Sequence, residues 1–502
     1  MSISDQATAP GGGGTALRKG WILFILGVSQ LMIVLDITIV NVAINDIRVD
    51  LGVSSQTELQ WIITGYTLAF GGLLLLGGKL ADRLGRRVIF SAGATLFAFA
   101  SLLCGITDSL ELLIAARALQ GVGGAMMAPA ALSILTVVFQ EGRERDRALA
   151  IWAAISAGGA AIGLILGGLL VQYLDWRWVF YINVPVGLFA VFAAFRFVPE
   201  SRHEHARGFD IPGAILVTGG LMTLVYALAR TDELGWSSSE TLLTIAGALV
   251  LLVAFYFVQR TSRSPLLPLS LFRFRNLAGA NLAFFFVASG LFSIFLFLVL
   301  WMRQLNGWSP LESGFAFLPV TVFIIVGAGL GTMLLPRIGP RPIATAGPAI
   351  AASGLLYIGL MLEPGSSYVT DILPGMLLLA FGMGLTFPTL FSVAVAGVPE
   401  ESTGIASGLL NASQQVGGSV GLALLTAVAT ERTANALGAM PLAPDGTPTD
   451  PANFPLFAQS LVDGWSIGLI VASGLLLLAA VVTNTFIRGD RDTVAAGPLA
   501  AV

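Results

Sequence analysis

Residues 78–87 read GKLADRLGRR and lie between two long apolar segments, at about 59–80 and 88–107. Five of these ten residues carry a charge, in a chain of which only 11% is charged. Each flanking segment has about the 20 apolar residues that a helix needs to cross the ~30 Å hydrocarbon core of a bilayer. The stretch therefore predicts a short charged turn at the membrane surface, joining two transmembrane helices.

The composition of the whole chain is typical of a membrane protein. The sequence has 502 residues and is 56% hydrophobic, whereas soluble domains are about 45–50% apolar and about 25% charged. Its net charge of −3 favours neither nucleic acid nor a strongly charged ligand. A single cysteine, Cys104, excludes a disulfide framework. The two histidines, His203 and His205, lie in a polar loop, so no histidine is placed to ligate a haem inside the membrane. Without a nucleophile–base pair or a phosphate loop in the sequence, we expect no cofactor and no enzymatic activity.

Apolar runs bounded by charged residues or by proline and glycine predict an all-α integral membrane protein with fourteen transmembrane helices. The predicted spans are about 21–45, 59–80, 88–107, 111–139, 147–172, 177–198, 211–230, 240–260, 277–304, 312–335, 342–362, 371–397, 402–430 and 461–487. The first span is too long to be a cleaved signal peptide. These spans divide the chain into a disordered tail at 1–20, a six-helix bundle at 21–200, two inserted helices with linkers at 201–276, a second bundle at 277–487 and a tail at 488–502. Residues 431–460, rich in proline, are predicted to form an irregular loop.

The arginines concentrate in alternate loops. One set of loops contains Arg83, Arg86, Arg87, Arg143, Arg145, Arg147, Arg202, Arg207, Arg260, Arg263, Arg273, Arg275, Arg337, Arg341, Arg488 and Arg491. The opposite loops offer only Arg48, Arg177, Arg230, Arg303 and Arg432. Because arginine is retained on the cytoplasmic side of a membrane, the rich loops and both termini are predicted to be cytoplasmic.

The charged turn has a second copy. A shift of 254 residues superimposes Leu80, Arg83, Gly85, Arg87 and Ile89 on Leu334, Arg337, Gly339, Arg341 and Ile343. Asp82 falls on Pro336, so the second turn keeps the basic residues and loses the acid. The repeat indicates two related halves.

Two charged residues lie deep within predicted spans. Of the 29 acidic residues, only Asp36 lies deep within a span, and Arg117 in the fourth span is the one deeply placed cation. A charge near the bilayer centre costs at least about 2.5–3.5 kcal/mol, so such residues usually serve a function. Burial favours the protonated form of a carboxyl group and a nearby cation favours its ionised form, so Asp36 is a candidate proton site. The alternatives are a structural Asp36 bonded to backbone or to Asn41, and a structural Arg117 that ties helix ends together.

Several motifs together resemble the major facilitator superfamily, and more narrowly its fourteen-helix drug:proton antiporters. These are the turn at 78–87, LDITIVN at 35–41, WRWVFYINVP at 176–185, RALQG at 117–121, and the segments 265–275, 307–310 and 404–421. The resemblance covers nearly the whole chain and implies two six-helix bundles with a substrate site between them near the membrane midplane. The fifth span keeps the glycine spacing Gly159, Gly163 and Gly167, but Leu164 stands where the antiporter motif has proline.

The resemblance also assigns roles to residues. Asp36 and Arg117 match the acid and the arginine that couple proton movement to transport. The turn corresponds to a latch that pins the two halves together in the outward-facing state, and its residues are Gly78, Asp82, Arg83, Gly85, Arg86 and Arg87. The alternative for the turn is a simple cytoplasmic anchor.

Aromatic residues, methionines and amides in the spans are candidates for a substrate cavity. The predicted substrate-binding residues are Asn41, Trp61, Gln120, Met127, Trp152, Phe284, Asn411 and Gln414. Such side chains adapt to many shapes and attract lipophilic cations, although ordinary helix packing explains most of them equally well.

The sequence thus predicts proton-coupled efflux of lipophilic drugs, cationic or neutral, across a bacterial cytoplasmic membrane by alternating access. The expected partners are the substrate, protons and membrane lipid, with no nucleic acid. The alternatives are export of a self-made antibiotic, lipid or siderophore, proton-coupled import, which the Leu164 departure leaves open, and a non-transporting receptor on the same fold.

Overall fold

The computed structural model describes residues 12–53, 56–139, 143–202, 210–396, 398, 403–438, 440–441 and 448–488. His203, His205, Arg207 and Arg491 lie outside these residues, as do the side chains of Arg143, Arg145 and Arg147. Within the described residues the fold is helical and contains no β-strand. The all-α fold class is confirmed.

The helices of the first half are α1 (Gly12–Asp50), α2 (Gln56–Leu84), α3 (Arg86–Ile106), α4 (Leu110–Val138), α5 (Arg143–Tyr173), α6 (Trp178–Tyr181) and α7 (Asn183–Phe197). Between the halves come α8 (Ile211–Ala229), α9 (Thr231–Leu234) and α10 (Ser239–Thr261). The second half contains α11 (Arg275–Leu300), α12 (Pro310–Ala316), α13 (Leu318–Ile338), α14 (Pro340–Met361), α15 (Leu373–Val395), α16 (Thr403–Leu437) and α17 (Phe454–Phe486). Each predicted span coincides with one of these helices or with a consecutive pair.

Eleven helices within the described residues are long and apolar enough to cross a membrane, or twelve if the bent pair Glu58–Leu74 and Leu76–Leu84 is one span. The predicted count of fourteen is compatible with this number and stays a prediction.

Two predicted irregular segments are shorter than expected. Helix α1 already begins at Gly12, inside the predicted tail at 1–20, and the predicted loop at 431–460 is helical up to Leu437 and again from Phe454. The apolar pattern shows where a helix leaves the membrane. The helix itself continues into the polar region until a residue such as glycine terminates it. Gly438 ends α16 with φ of +57°, in the left-handed region that glycine adopts at helix C-termini.

The charged turn and its copy each contain a glycine with positive φ. Gly85 follows α2 with φ of +117° and Gly339 follows α13 with φ of +79°, and in both places the next helix begins one residue later. A Cβ atom at Gly85 would lie 2.6 Å from the Glu200 carboxylate. Glycine is therefore required at this turn by both the backbone conformation and the close approach of Glu200.

Helix pairing repeats between the halves, as the sequence repeat predicts. In the first half α2 packs on α4, α3 on α4, α1 on α5 and α3 on α7. The corresponding pairs in the second half, α13 on α15, α14 on α15, α11 on α16 and α14 on α17, also pack together. The two halves therefore share one architecture and meet mainly where α2 packs on α16 and where α5 packs on α12.

We call the end of the bundle that holds the α2–α3 turn the arginine-rich end, and the opposite end the arginine-poor end. At the arginine-poor end Arg303 donates to the Asp46 carboxylate and, at 2.8 Å, to the Val42 carbonyl of α1. A Cβ atom at Gly168 of α5 would lie 2.8 Å from the Leu311 Cα of α12. The halves are thus in close contact at the arginine-poor end.

The inserted helices bridge the halves on one side. Helix α8 packs on both α2 and α16, and Trp61 of α2 lies against Tyr226 of α8 with ring centroids 6.4 Å apart. The linker that follows α10 is tied to the first half, because Lys79 donates to the Ser264 carbonyl at 2.9 Å and also to the Pro265 carbonyl.

Candidate functional site

The side chain of Asp36 lies in the middle of the first half and is fully buried. Its Oδ2 atom accepts from Arg117 Nη1 at 2.5 Å. Its Oδ1 atom accepts from Gln120 Nε2 at 2.6 Å and from Asn183 Nδ2 at 3.0 Å. Helices α1, α4 and α7 therefore converge on one carboxylate.

Arg117 is equally enclosed, with 1% of its surface exposed. Besides Asp36, it donates to the Ile62 carbonyl of α2 at 3.0 Å and to Gln120 Oε1 at 2.7 Å. Its guanidinium carbon lies 4.4 Å from the centroid of the Tyr66 ring, within the range of a cation–π contact. A buried ion pair is stable only when further hydrogen bonds satisfy both partners, and these contacts supply them.

Gln120 connects the ion pair to α3, since its Nε2 atom also donates to Ser101 Oγ at 2.8 Å. The sequence predicts Gln120 as a substrate-binding residue, but the structure places it, with no exposed surface, among the partners of Asp36. Asn183 and Ser101 were missed by sequence reasoning. Asn183 lies in the quoted motif at 176–185, whereas no pattern distinguishes Ser101 from other span serines.

The glycines of α5 fix the position of α1 beside this cluster. A Cβ atom at Gly159 would lie 3.1 Å from Leu31, one at Gly163 would lie 2.1 Å from Thr38 Oγ1, and one at Gly167 would lie 2.7 Å from Ile39. Small residues at four-residue spacing permit such close packing in lipid, as predicted.

Leu164 beside them is 2% exposed, and its carbonyl oxygen would lie 2.6 Å from a Cβ atom at Gly314 of α12. The residue that departs from the antiporter motif thus lies at the contact between the halves.

The predicted latch residues surround the turn at the arginine-rich end. Arg86 Nη2 donates to Asp82 Oδ1 at 3.0 Å, and the Arg87 side chain lies 3.7 Å from the Glu200 carboxylate. These contacts join residues of the first half. A Cβ atom at Gly78 would lie 3.6 Å from Pro129 of α4. Arg83 lies exposed at the end of α2. The latch role stays a prediction.

A second charge cluster, at the arginine-poor end, is formed by the first residues of the motif at 176–185. Arg177 donates to Asp50 at 2.8 Å and to Asp108 at 2.6 Å, and Trp176 Nε1 donates to Asp50 at 3.0 Å. Partial burial opposes the charge, but the Asp108 and Asp50 carboxylates outweigh it and raise the pKa of Arg177 above its usual value. The start of this motif therefore ties three loops of the first half together.

The other predicted substrate-binding residues are spread over several environments. Met127 and Phe284 have no exposed surface, and Phe284 packs on Phe391 with ring centroids 5.1 Å apart. Asn41 donates to the Ile37 carbonyl of its own helix at 3.0 Å, and Trp61 faces α8. Trp152, Asn411 and Gln414 are partly buried.

A cavity in the second half of about 50 Å³ is lined by Phe387, Met376 and Phe317, among others. Sites for drug-sized ligands have about 300–1,000 Å³, so this cavity is too small for such a molecule. The predicted binding roles stay predictions.

Comparison with known proteins agrees with this architecture. The Major Facilitator Superfamily profile matches residues 26–422. This chain belongs to the Major Facilitator Superfamily. The chain is 40% identical over 479 residues to the puromycin resistance protein pur8 of Streptomyces alboniger, an alignment that covers 95% of this chain and 92% of the relative. It is also 38% identical over 404 residues to the cephamycin export protein CmcT of Amycolatopsis lactamdurans, covering 80% and 83% of the two chains.

Among solved structures, the POT family transporter PepTSo matches with a TM-score of 0.67, covering 94% of this chain and 97% of that chain at 16% identity. This similarity supports the fold. The superfamily membership and the multiple apolar helices identify the chain as a multi-span membrane transporter rather than an enzyme.

Proposed function

We propose that this transporter exports lipophilic antibiotics or related drugs in exchange for protons. The observation that carries the proposal is the buried Asp36, held by Arg117, Gln120 and Asn183 between three helices. Relatives named for puromycin resistance and cephamycin export support the direction of transport and the class of solute. The arginine-rich end is taken to face the cytoplasm.

In the proposed mechanism Asp36 binds and releases one proton per cycle. Protonation neutralises the carboxylate and removes the main attraction between α1 and Arg117. Arg117 then keeps the Ile62 carbonyl, Gln120 Oε1 and the Tyr66 ring as its partners. A change in charge at this junction of helices alters how they pack. The two half-bundles then rock between a state closed at the arginine-poor end and one closed at the arginine-rich end.

The test compares wild type with Asp36→Asn and Asp36→Glu in membrane vesicles under an imposed pH gradient. Puromycin, a cephamycin and a lipophilic cationic dye are the solutes to measure. We expect Asp36→Asn to abolish proton-driven transport and Asp36→Glu to keep part of it, since only the latter can titrate. Transport by Asp36→Asn at the wild-type rate, equally sensitive to a protonophore, would overturn the coupling assignment.

Export of a compound made by the cell itself is a second candidate, favoured by the relative named for cephamycin export. Deletion of the gene in its host distinguishes the two. Export of a self-made compound predicts that this compound accumulates inside the cells, whereas drug efflux predicts only greater sensitivity to added drugs.

A further inference from the structure

A row of polar side chains runs along the contact between α2 and α16, where the two halves meet. By helical spacing, Gln60, Thr64 and Thr67 share one face of α2, and Gln415, Ser419, Thr426 and Thr430 share one face of α16. We call these seven residues the polar seam. They carry no charge, and none of them is among the residues singled out for proton coupling or substrate binding.

Two contacts fix how the helices face each other. Thr67 Oγ1 and Ser419 Oγ are 2.6 Å apart, and a Cβ atom at Gly71 would lie 2.7 Å from Gln415 Cβ. The helices run in opposite directions. Towards the arginine-poor end, Gln60 lies seven residues from Thr67 on α2, and Thr426 lies seven residues from Ser419 on α16. Two helical turns return a side chain nearly to the same face, so Gln60 and Thr426 continue the row.

Much of this row lacks hydrogen bonds in the closed arrangement. Five buried atoms of the seam have no partner among the described residues. They are Gln60 Oε1, Thr64 Oγ1, Gln415 Nε2, Thr426 Oγ1 and Thr430 Oγ1. Polar side chains between membrane helices normally bond across the interface, as Thr67 and Ser419 do, and an unpaired buried group is unfavourable. Simple adhesion between the halves therefore does not explain the composition of the seam.

We infer that the polar seam lines the passage that opens at the arginine-poor end when the half-bundles separate. In that state its amides and hydroxyls would bond to water and to a passing solute that carries hydrogen-bonding groups and at most one charge. This role accounts for the unpaired atoms of the seam, because their hydrogen-bond partners are present only in the open state. The inference rests on the alternating access of the proposed function and not on its proton coupling.

Cysteine labelling tests the inference directly. The single native cysteine, Cys104, is buried, so the wild-type protein gives the blank. The variants are Gln60→Cys and Thr426→Cys in the seam, with Leu68→Cys as the matched control. Leu68 is also buried on α2 and lies one residue from Thr67, but it belongs to an apolar cluster formed with α8 and α16 rather than to the polar row. A membrane-impermeant thiol reagent is applied to intact cells and to inverted vesicles, with labelling after denaturation to measure total protein.

We expect both seam cysteines to react in intact cells and the Leu68→Cys control to react at least about tenfold more slowly, a ratio that corresponds to ~1.4 kcal/mol. Labelling of the seam cysteines only in inverted vesicles would support the passage but show that the arginine-poor end faces the cytoplasm. Labelling in neither preparation, or at the rate of the control, would overturn the inference. The measurement needs neither a drug nor a proton gradient, so its outcome is separate from that of the Asp36 experiment.

A second variant addresses the unpaired atoms. Gln60→Leu combined with Thr426→Val removes two of them while nearly preserving the volume of the side chains. With Thr64→Cys as the reporter, we expect labelling to slow by about tenfold because the closed seam becomes more stable. Unchanged or faster labelling of the reporter would show that the unpaired groups do not favour opening.

Discussion

At the scale of residues, the Asp36–Arg117 pair is the main feature of this transporter. Both side chains are buried, and each has at least three polar partners or aromatic contacts. Removal of one member of such a pair leaves a buried charge without its counter-charge, which costs about 3–5 kcal/mol. Replacement of both members with neutral groups avoids that penalty.

The pair can therefore be tested by stability. We expect Arg117→Gln to lower the thermal unfolding temperature of the purified protein markedly, and Asp36→Asn combined with Arg117→Gln to recover most of the loss, by roughly 2–4 kcal/mol. The recovered double variant should still fail to transport. A double variant that is no more stable than Arg117→Gln alone would show that the two charges are not coupled.

Asn183 supplies the donor that sequence reasoning missed. Loss of its bond to Asp36 in Asn183→Leu should reduce transport several-fold, with a stability loss of about 1–3 kcal/mol. Asn281→Leu in the second half is the matched control, because Asn281 is also a buried amide that bonds to the Leu277 carbonyl and to Ser413. Equal effects on transport rate per folded molecule in both variants would remove any special role for Asn183.

At the scale of elements, the contact between α1 and α5 determines where Asp36 lies. The glycines of α5 let α1 approach closely at Leu35 and Thr38, on either side of Asp36 in sequence. A larger residue would push α1 away from α5 and displace the carboxylate from its donors.

Gly163→Ala tests this contact. Its Cβ atom would meet Thr38 Oγ1 at 2.1 Å, so we expect lower stability and weaker transport, with overpacking costs of about 1–3 kcal/mol. Gly219→Ala in α8 is the control, since a Cβ atom there has nothing within 4 Å. Thermal unfolding of both variants measures the difference, and a Gly163→Ala protein as stable as Gly219→Ala would contradict the close packing.

At the scale of the whole molecule, the two halves are joined at the arginine-poor end by the bond of Arg303 to Asp46. Arg177 forms ion pairs at the same end, but with Asp50 and Asp108 of its own half. One arginine therefore bears on the relative position of the halves, and the other only on the integrity of one half.

We expect Arg303→Ala to shift the population towards the state open at this end by roughly fivefold, for an ion pair of about 1 kcal/mol. Spin labels at Val49 and Val369, both well exposed and on opposite halves, report the separation as a distance distribution. Arg177→Ala should leave that distribution unchanged. A shift of the same size in both variants would mean that loss of charge alone opens this end.

The all-α membrane fold, the positions of the long apolar helices and the two related halves could be predicted from the sequence. These depend on local composition: a bilayer requires a run of apolar residues for every crossing, and it confines charge to the turns. Asp36 and Arg117 also stood out in sequence, because charges within apolar runs are rare. Helix ends beyond the membrane were missed, as at α16, because they depend on a glycine turn rather than on hydrophobicity.

Which residues contact one another depends on how the helices pack, and this could not be predicted from the sequence. Arg117 and Asn183 lie 81 and 147 positions along the chain from Asp36, whose carboxylate joins them, and Thr67 and Ser419 lie 352 positions apart. Periodicity gives the face of a helix on which a residue lies, but not which helix covers that face. The partners of Asp36 and the polar seam therefore followed from packing, since hydrogen bonds depend on distances of about 3 Å that no single span specifies.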